Sequence, residues 1–287
     1  MKQGDPFELS QAMSLTAQRL VTISKWNGRF SVLNYLVAAS TLSVCNESKE
    51  IPKIYHLAMV MSEENSPDDS ALIDAVNSVV TLCDKAESND DASAYESLYQ
   101  SPTVHQRELT EKFREALLKT SPLAGLPKAI NGLRALHSVT PISLLAPYQH
   151  VSKNSTNVHD LFPKTKRNTD SDNEIERGMK HWNHLYGKVS GRVINNLNRS
   201  YPDLWYYTMS HAYGPLLSYS DVLDAQETSL IIISSLVPQD VNPQLWGHLK
   251  GAINVGCSKE AIENARTLSI QIAQWCGVEW KGDVVKL

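Results

Sequence analysis

The sequence predicts an all-α protein, and three observations carry that prediction. Apolar residues recur at three- and four-residue intervals along most of the 287 residues, which places them on one face of a helix. Helix start and stop signals bound these runs. The β-rich runs are short and sit inside helical patterns.

The elements follow in order. Leu15 to Ser43 carries Leu20, Ile23, Val32, Tyr35, Leu36 and Ala39 at helical spacing, and Ile51 to Met61 continues the pattern after a Glu-Ser-Lys-Glu turn. Asp68 and Asp69 suit the cap of a helix with Leu72, Ala75, Val76, Val79 and Val80 on one face. Ser88 to Asp91 is a solvated break, and Val104 to Ser121 is a charged amphipathic helix with Leu109, Phe113, Ala116 and Leu117 inward. After Gly125-Leu126-Pro127, Lys128 to Ser138 is helical again. Lys, Asn, Ser, Thr and Asp crowd the stretch from about His150 to Glu176, which reads as a polar linker. The predicted organisation is therefore an N-terminal helical unit over 1–148, a linker over 149–175 and a C-terminal helical unit over 176–287.

The second unit opens with an amphipathic helix from Glu176 to Asn198. Pro202 begins another, expected to end at Gly214-Pro215. Asp224 and Glu227 form a capping-box pattern ahead of an apolar helix that Pro238 stops. Pro243 then opens a helix bearing His248, Gly256 suits its left-handed cap, and Ser258 caps a last helix with Ile262, Ala265, Leu268, Ile272 and Cys276 inward.

Composition removes several function classes. The net charge is -4, with 20% charged residues, so there is no electrostatic footprint for nucleic acid or an anionic membrane surface. No apolar run approaches the roughly 20 residues that cross a bilayer. The amino terminus lacks the apolar core of a secretory signal. The four cysteines, Cys45, Cys83, Cys257 and Cys276, show neither Cys-x-x-Cys nor zinc-ligand spacing, so neither a disulfide framework nor a metal site is expected. The final Val285-Lys286-Leu287 is similar to the Ser-Lys-Leu peroxisomal address, with Val in place of the usual small residue.

Ionisable residues are scarce around His248. Its imidazole titrates near neutrality when unperturbed, which suits a general acid or base. Leu245, Leu249 and Ala252 place apolar groups beside it, and Gly247 and Gly251 open space for a ligand or a close helix. Glu227, on the preceding helix, is expected either to orient that imidazole or to serve only its capping box. Gln244 lies one turn before His248, and Gln239, Asp240 and Asn242 form a polar turn that either positions a substrate oxygen or is simply solvated. Tyr213 and His211 lie near the same region. His181 and His184, three apart, present two imidazoles on one helix face with no third ligand to complete a metal set. Lys250, Arg192 and Arg266 either hold a substrate carboxylate or are solvated helix charges. Cys257, beside a helix start, reads as a small buried residue.

The pattern Glu227, apolar helix, Gln244-Leu245-x-Gly247-His248-Leu249-x-Gly251-Ala252, Asn254-x-Gly256-x-Ser258-x-Glu260 resembles the carboxymuconolactone decarboxylase and alkyl hydroperoxidase D-like family. Phe113 to Asn131 is similar to later helices of the same unit. The resemblance is to a two-unit branch found in fungi that includes a peroxisomal matrix protein. It implies tandem helical units, the first degenerate, with a site walled by the His- and Glu-bearing helices: His248 and Glu227 as catalytic residues, Gln244, Asn254 and Tyr213 as substrate-binding residues. It also implies no cofactor and self-association. The peroxidase branch carries Cys-x-x-Cys where this chain has Val241 and Gln244, so a redox relay through that motif is missing. Three readings follow in order: a cofactor-independent enzyme moving a proton on a small oxygenated acid or lactone; a non-catalytic helical protein of the peroxisomal matrix, a binder or scaffold; and a thiol peroxidase relying on Cys257 or Cys276 alone. The partners expected are a small-molecule substrate, an import receptor engaged through Val285 to Leu287, and further copies of the chain.

Overall fold

The computed structural model describes residues 14–28, 31–62, 68–89, 95, 99, 101–146, 165, 167 and 173–287. Most of the polar stretch at 149–175 lies outside them. The described residues contain helices and no strand. In chain order these are α1 (Ala17–Ser24), α2 (Val32–Val44), α3 (Ile51–Met61), α4 (Asp69–Asn89), α5 (Val104–Lys119), α6 (Ser121–Ala124), α7 (Leu126–Val139), α8 (Glu174–Tyr186), α9 (Ser190–Ser200), α10 (Pro202–Tyr207), a π-helical segment (Thr208–Leu217), α11 (Ala225–Leu236), α12 (Asn242–Asn254) and α13 (Lys259–Trp275).

Two helices form the centre. Every residue of α2 from Tyr35 to Val44 is buried, as is every residue of α11 from Thr228 to Leu236. A helix apolar all round must be covered all round. Here α2 and α11 pack on each other, α13 lies against both, and α5 adds to the cover. Several hydroxyls within these helices are satisfied locally: Thr41 donates to the Val37 carbonyl at 2.8 Å, and Ser234 and Ser235 both donate to the Ile231 carbonyl at 2.8 Å, while Ser43 donates to the Lys128 carbonyl of α7 at 3.2 Å and Ser40 Oγ has no protein partner. Because α2 belongs to the first half of the sequence and α11 to the second, one hydrophobic core spans both.

Capping fixes where the helices begin. Thr103 and Gln106 form a capping box on α5, as Asp224 and Glu227 do on α11. Ser258 accepts from the Ala261 amide at 3.0 Å to start α13. Asp240 and Gly256 take the left-handed backbone (φ 55° and φ 101°) on either side of α12.

One boundary departs from its signal. Gly214-Pro215 is expected to end the helix that Pro202 begins, yet the chain passes through both in π form, with the Ser218 amide donating to the Tyr213 carbonyl at 2.9 Å. Proline lacks the amide that an α-helix interior needs, and a wider turn accommodates it.

The chain's last residues lie along the α11–α12 turn. Arg266 donates to the carbonyls of Val284 and Val285 at 3.0 and 2.8 Å, Asn242 accepts from the Val285 amide at 2.9 Å, and the Trp280 indole donates to the Val237 carbonyl at 2.7 Å. Arg266 is therefore a buried clamp on this strap, neither of the roles its sequence context suggested.

Candidate functional site

The site grows from a close approach of three elements. Gly251 of α12 is buried, and a Cβ there would lie 2.6 Å from Leu185 Cδ1 of α8. A Cβ on Gly178 of α8 would lie 2.8 Å from the Gly214 Cα in the π-helical segment. Two glycines thus bring α8 against α12 on one side and against the π segment on the other. The extra residue per turn of the π segment sets the direction of Tyr213, and such segments are frequent at functional sites.

A chain of aromatic rings results. His248 of α12 meets Tyr186 of α8 edge-on at 6.2 Å between centroids, Tyr186 meets Trp182 at 4.3 Å, Trp182 meets Tyr213 at 4.7 Å, and Tyr213 meets His181 at 6.3 Å. Trp205 closes the outer side against Trp182 at 4.9 Å. The hydroxyls of Tyr186 and Tyr213 hydrogen-bond at 3.1 Å. His248 is only 7% exposed. Three enclosed polar atoms in this chain of rings have no protein partner: His248 Nδ1, His181 Nε2 and Trp182 Nε1. Most buried polar atoms are satisfied, so these three neighbouring rings carry hydrogen-bonding capacity that no protein group uses.

Burial sets the charge state. It pushes the His248 imidazole down from its usual value to about 4, with a smaller push from His181. His181 is likewise driven down to about 4, first by burial, then by Lys119 and His184. Both tyrosines are raised by burial, Tyr213 well above the ordinary phenol. At neutral pH every group in the cage is uncharged.

Lys119 is the nearby cation, and it is already committed. It is fully buried and donates to the Tyr219 carbonyl and to Thr228 Oγ1, both at 2.7 Å, with Glu115 at 3.6 Å. Burial lowers its pKa to about 8. Glu115 also pairs with Arg167 at 2.6 Å. This network ties the two halves of the sequence together.

The expected site residues do not all meet. Tyr213 joins the cage. Glu227 makes its capping box and pairs with Lys112 at 2.5 Å; no hydrogen bond joins it to His248. That ion pair borders a separate cavity of about 510 Å³ lined by Arg107, Glu111, Lys112, Leu144 and Asp221. Gln244, in the first turn of α12, is exposed, while His248, one turn further along, is buried. Asn254 donates to the Leu185 carbonyl at 2.8 Å and braces α12 on α8. Of the polar turn, Gln239 donates to the Ser235 carbonyl at 2.7 Å, and Asn242 donates to the Asp283 carbonyl at 3.0 Å. His184, His211 and Arg192 are exposed, Lys250 lies over the Trp246 ring, and Cys257 is buried against the Gln226 carbonyl. No group of three metal-ligating side chains occurs among the described residues. Tyr186, Trp182 and Lys119 were not singled out from the sequence, where each reads as part of a helix face.

Comparison with known proteins adds identity. The chain is 50% identical to the protein named Peroxisomal protein 2 of Saccharomyces cerevisiae, over 95% of its own length and 99% of that protein's. The chain belongs to this family. It is also 42% identical to Peroxisomal protein 2 of Schizosaccharomyces pombe, over 61% of its own length and 75% of the relative's. Membership of the peroxisomal protein 2 family places the chain in the peroxisome. No helix among the described residues is long and apolar enough to cross a membrane. No family model matches the chain, and no solved structure matches it.

Proposed function

We propose that this member of the peroxisomal protein 2 family is a non-catalytic helical protein of the peroxisomal matrix that holds a small oxygenated molecule in the cage of His248, Tyr186, Tyr213 and His181. The observation that carries the reading is the isolation of His248. An efficient general base has a pKa near the working pH. This imidazole is held near 4 by burial, with no carboxylate hydrogen-bonded to it to raise it. The cage supplies hydrogen bonds and ring faces, which is what binding needs. The neighbouring cation among the described residues, Lys119, is committed to Tyr219, Thr228 and Glu115.

The helix order, the capped Glu227 helix and the buried His248 helix support the tandem arrangement of the carboxymuconolactone decarboxylase and alkyl hydroperoxidase D-like type, with the first unit degenerate. A second reading keeps the chemistry of that type, with His248 moving a proton on an acid or lactone without a cofactor. The orphaned His248 Nδ1 beside a tyrosine pair favours it. The exposed Tyr201, Leu204, Tyr206 and Tyr207 of α10 and its approach support self-association. Val285 to Leu287 is the proposed contact for an import receptor; deleting these residues from a fluorescent fusion abolishes punctate localisation if the contact operates, and unchanged puncta count against it.

The test of the binding reading is a thermal-shift screen of the purified chain against neutral phenols, quinones and lactones and against keto acids, with His248→Ala alongside. Stabilisation of the wild type that the variant loses supports the reading. No response from any compound, with the variant simply less stable, makes His248 a packing residue.

A further inference from the structure

The last residues of the chain are fastened at two places, with an open glycine between them. Trp280 and Lys281 form the first fastening: the Trp280 indole donates to the Val237 carbonyl at 2.7 Å, and the Lys281 amide donates to Asp240 Oδ2 at 3.3 Å. Asp283 to Val285 form the second. Asn242 holds it with both ends of its side-chain amide, donating to the Asp283 carbonyl at 3.0 Å and accepting from the Val285 amide at 2.9 Å. Arg266 holds it with two arms of its guanidinium, which donate to the Val284 carbonyl at 3.0 Å and to the Val285 carbonyl at 2.8 Å. Gly282 lies between the fastenings, and a Cβ there would meet nothing within 4 Å. The side chains of Val284 and Val285 pack on the core, whereas Lys286 and Leu287 are exposed.

We propose that the second fastening is a latch on the carboxy-terminal address: an import receptor engages Val285 to Leu287 only after Asn242 and Arg266 let Val285 go, which rests on the reading of these three residues as a receptor contact. A receptor that reads an extended peptide end draws affinity from main-chain hydrogen bonds and from capture of the terminal carboxylate. In the folded chain the amide and the carbonyl of Val285 are both already bonded, the first to Asn242 and the second to Arg266. The amide has one proton to give, so Val285 does not serve Asn242 and a receptor at once. Release frees Asp283 to Leu287, which span about 17 Å when extended, pivoting at Gly282 while Trp280 stays anchored. The closed state is favoured because Arg266 is itself buried. Opening strips two acceptors from its guanidinium and leaves it Glu263 at 3.0 Å. The receptor binds only the open fraction, so its apparent affinity for the folded chain is reduced by that fraction.

The experiment measures binding to the purified Saccharomyces cerevisiae receptor for Ser-Lys-Leu ends, by competition against a labelled peptide with that ending. The competitors are a peptide of residues 278–287, the folded full-length chain, its Asn242→Ala variant, and the chain with a second Val-Lys-Leu appended behind a flexible Gly-Ser spacer. The full-length chain is expected to bind roughly 10- to 100-fold more weakly than the peptide. Asn242→Ala is expected to recover about tenfold, and the spacer-extended chain to match the peptide. The spacer changes no residue of the fold, so that comparison stands even where Asn242→Ala fails to fold. A full-length chain that binds as tightly as the peptide overturns the latch and leaves the address standing. So does a folded Asn242→Ala chain that binds no tighter than the wild type. No binding by the peptide or by the spacer-extended chain overturns the reading of Val285 to Leu287 as an address, and the latch with it.

Discussion

The hydroxyls of Tyr186 and Tyr213 meet at 3.1 Å, one from α8 and one from the π-helical segment. This bond joins the two elements on which the cage depends, and neither phenol has another hydrogen-bond partner in the described structure. Removing one hydroxyl strands the other in a buried place. Tyr213→Phe is expected to lower stability by about 1–2 kcal/mol, and Tyr186→Phe by a similar amount. The double variant leaves no stranded group and loses less than the two single losses added. Urea melts of the four proteins check this; strict additivity would show that the hydroxyls do not pair.

The buried histidines give stability a pH dependence of known sign. Burial lowers His248 and His181 to about 4 and His56 to about 3. In the unfolded chain these imidazoles protonate near the ordinary value of about 6.5. Between the two values the unfolded state binds more protons, so stability falls as pH falls. It is complete above about pH 6.5 and erodes progressively toward pH 4. His248→Leu removes one of these groups. Its loss of stability between pH 7 and pH 5 is expected to be smaller than the wild type's by about 1–2 kcal/mol. Equal losses in both proteins would mean that His248 is not held neutral by burial.

Two glycines on α12 are expected to respond in opposite ways to the same change. Gly251→Ala drives a methyl into Leu185, whose carbonyl oxygen at 3.2 Å is backbone and does not swing aside. A cost of about 1–3 kcal/mol follows from overpacking. Gly247→Ala meets no atom within 4 Å, so it gains helix propensity of about 0.5–1 kcal/mol. Thermal melts of both variants decide, and a destabilised Gly247→Ala would place an unseen neighbour over that face.

Lys119 is fully buried and satisfied by Thr228, Tyr219 and Glu115. Lys119→Met keeps the aliphatic stem but leaves those acceptors unmatched. The expected cost is about 3–5 kcal/mol, the scale for breaking a buried charge pair. A urea midpoint close to that of the wild type would show that Arg167 alone suffices for Glu115.

The local part of this architecture was legible in the sequence. Apolar spacing and capping residues marked α11, α12 and α13, because caps and periodicity act within a few residues. The cage was only half legible. His248 stood out as a lone ionisable group on an apolar helix, but Tyr186 and Trp182 read as core residues, since nothing local says which rings meet. Glu227 was drawn toward His248 by its place on the preceding helix, whereas Lys112, distant in sequence, takes its carboxylate. Pro215 signalled a helix end, and the chain used a π-helix instead.

The most direct test of the account takes a compound that stabilises the wild type through His248 and follows it by NMR over long incubation with stoichiometric protein. The account predicts that the compound binds, shifts the Tyr186 and Tyr213 ring signals and is recovered unchanged. Conversion of the compound by the wild type, lost in His248→Ala, would contradict the binding account and establish His248 as a catalytic residue.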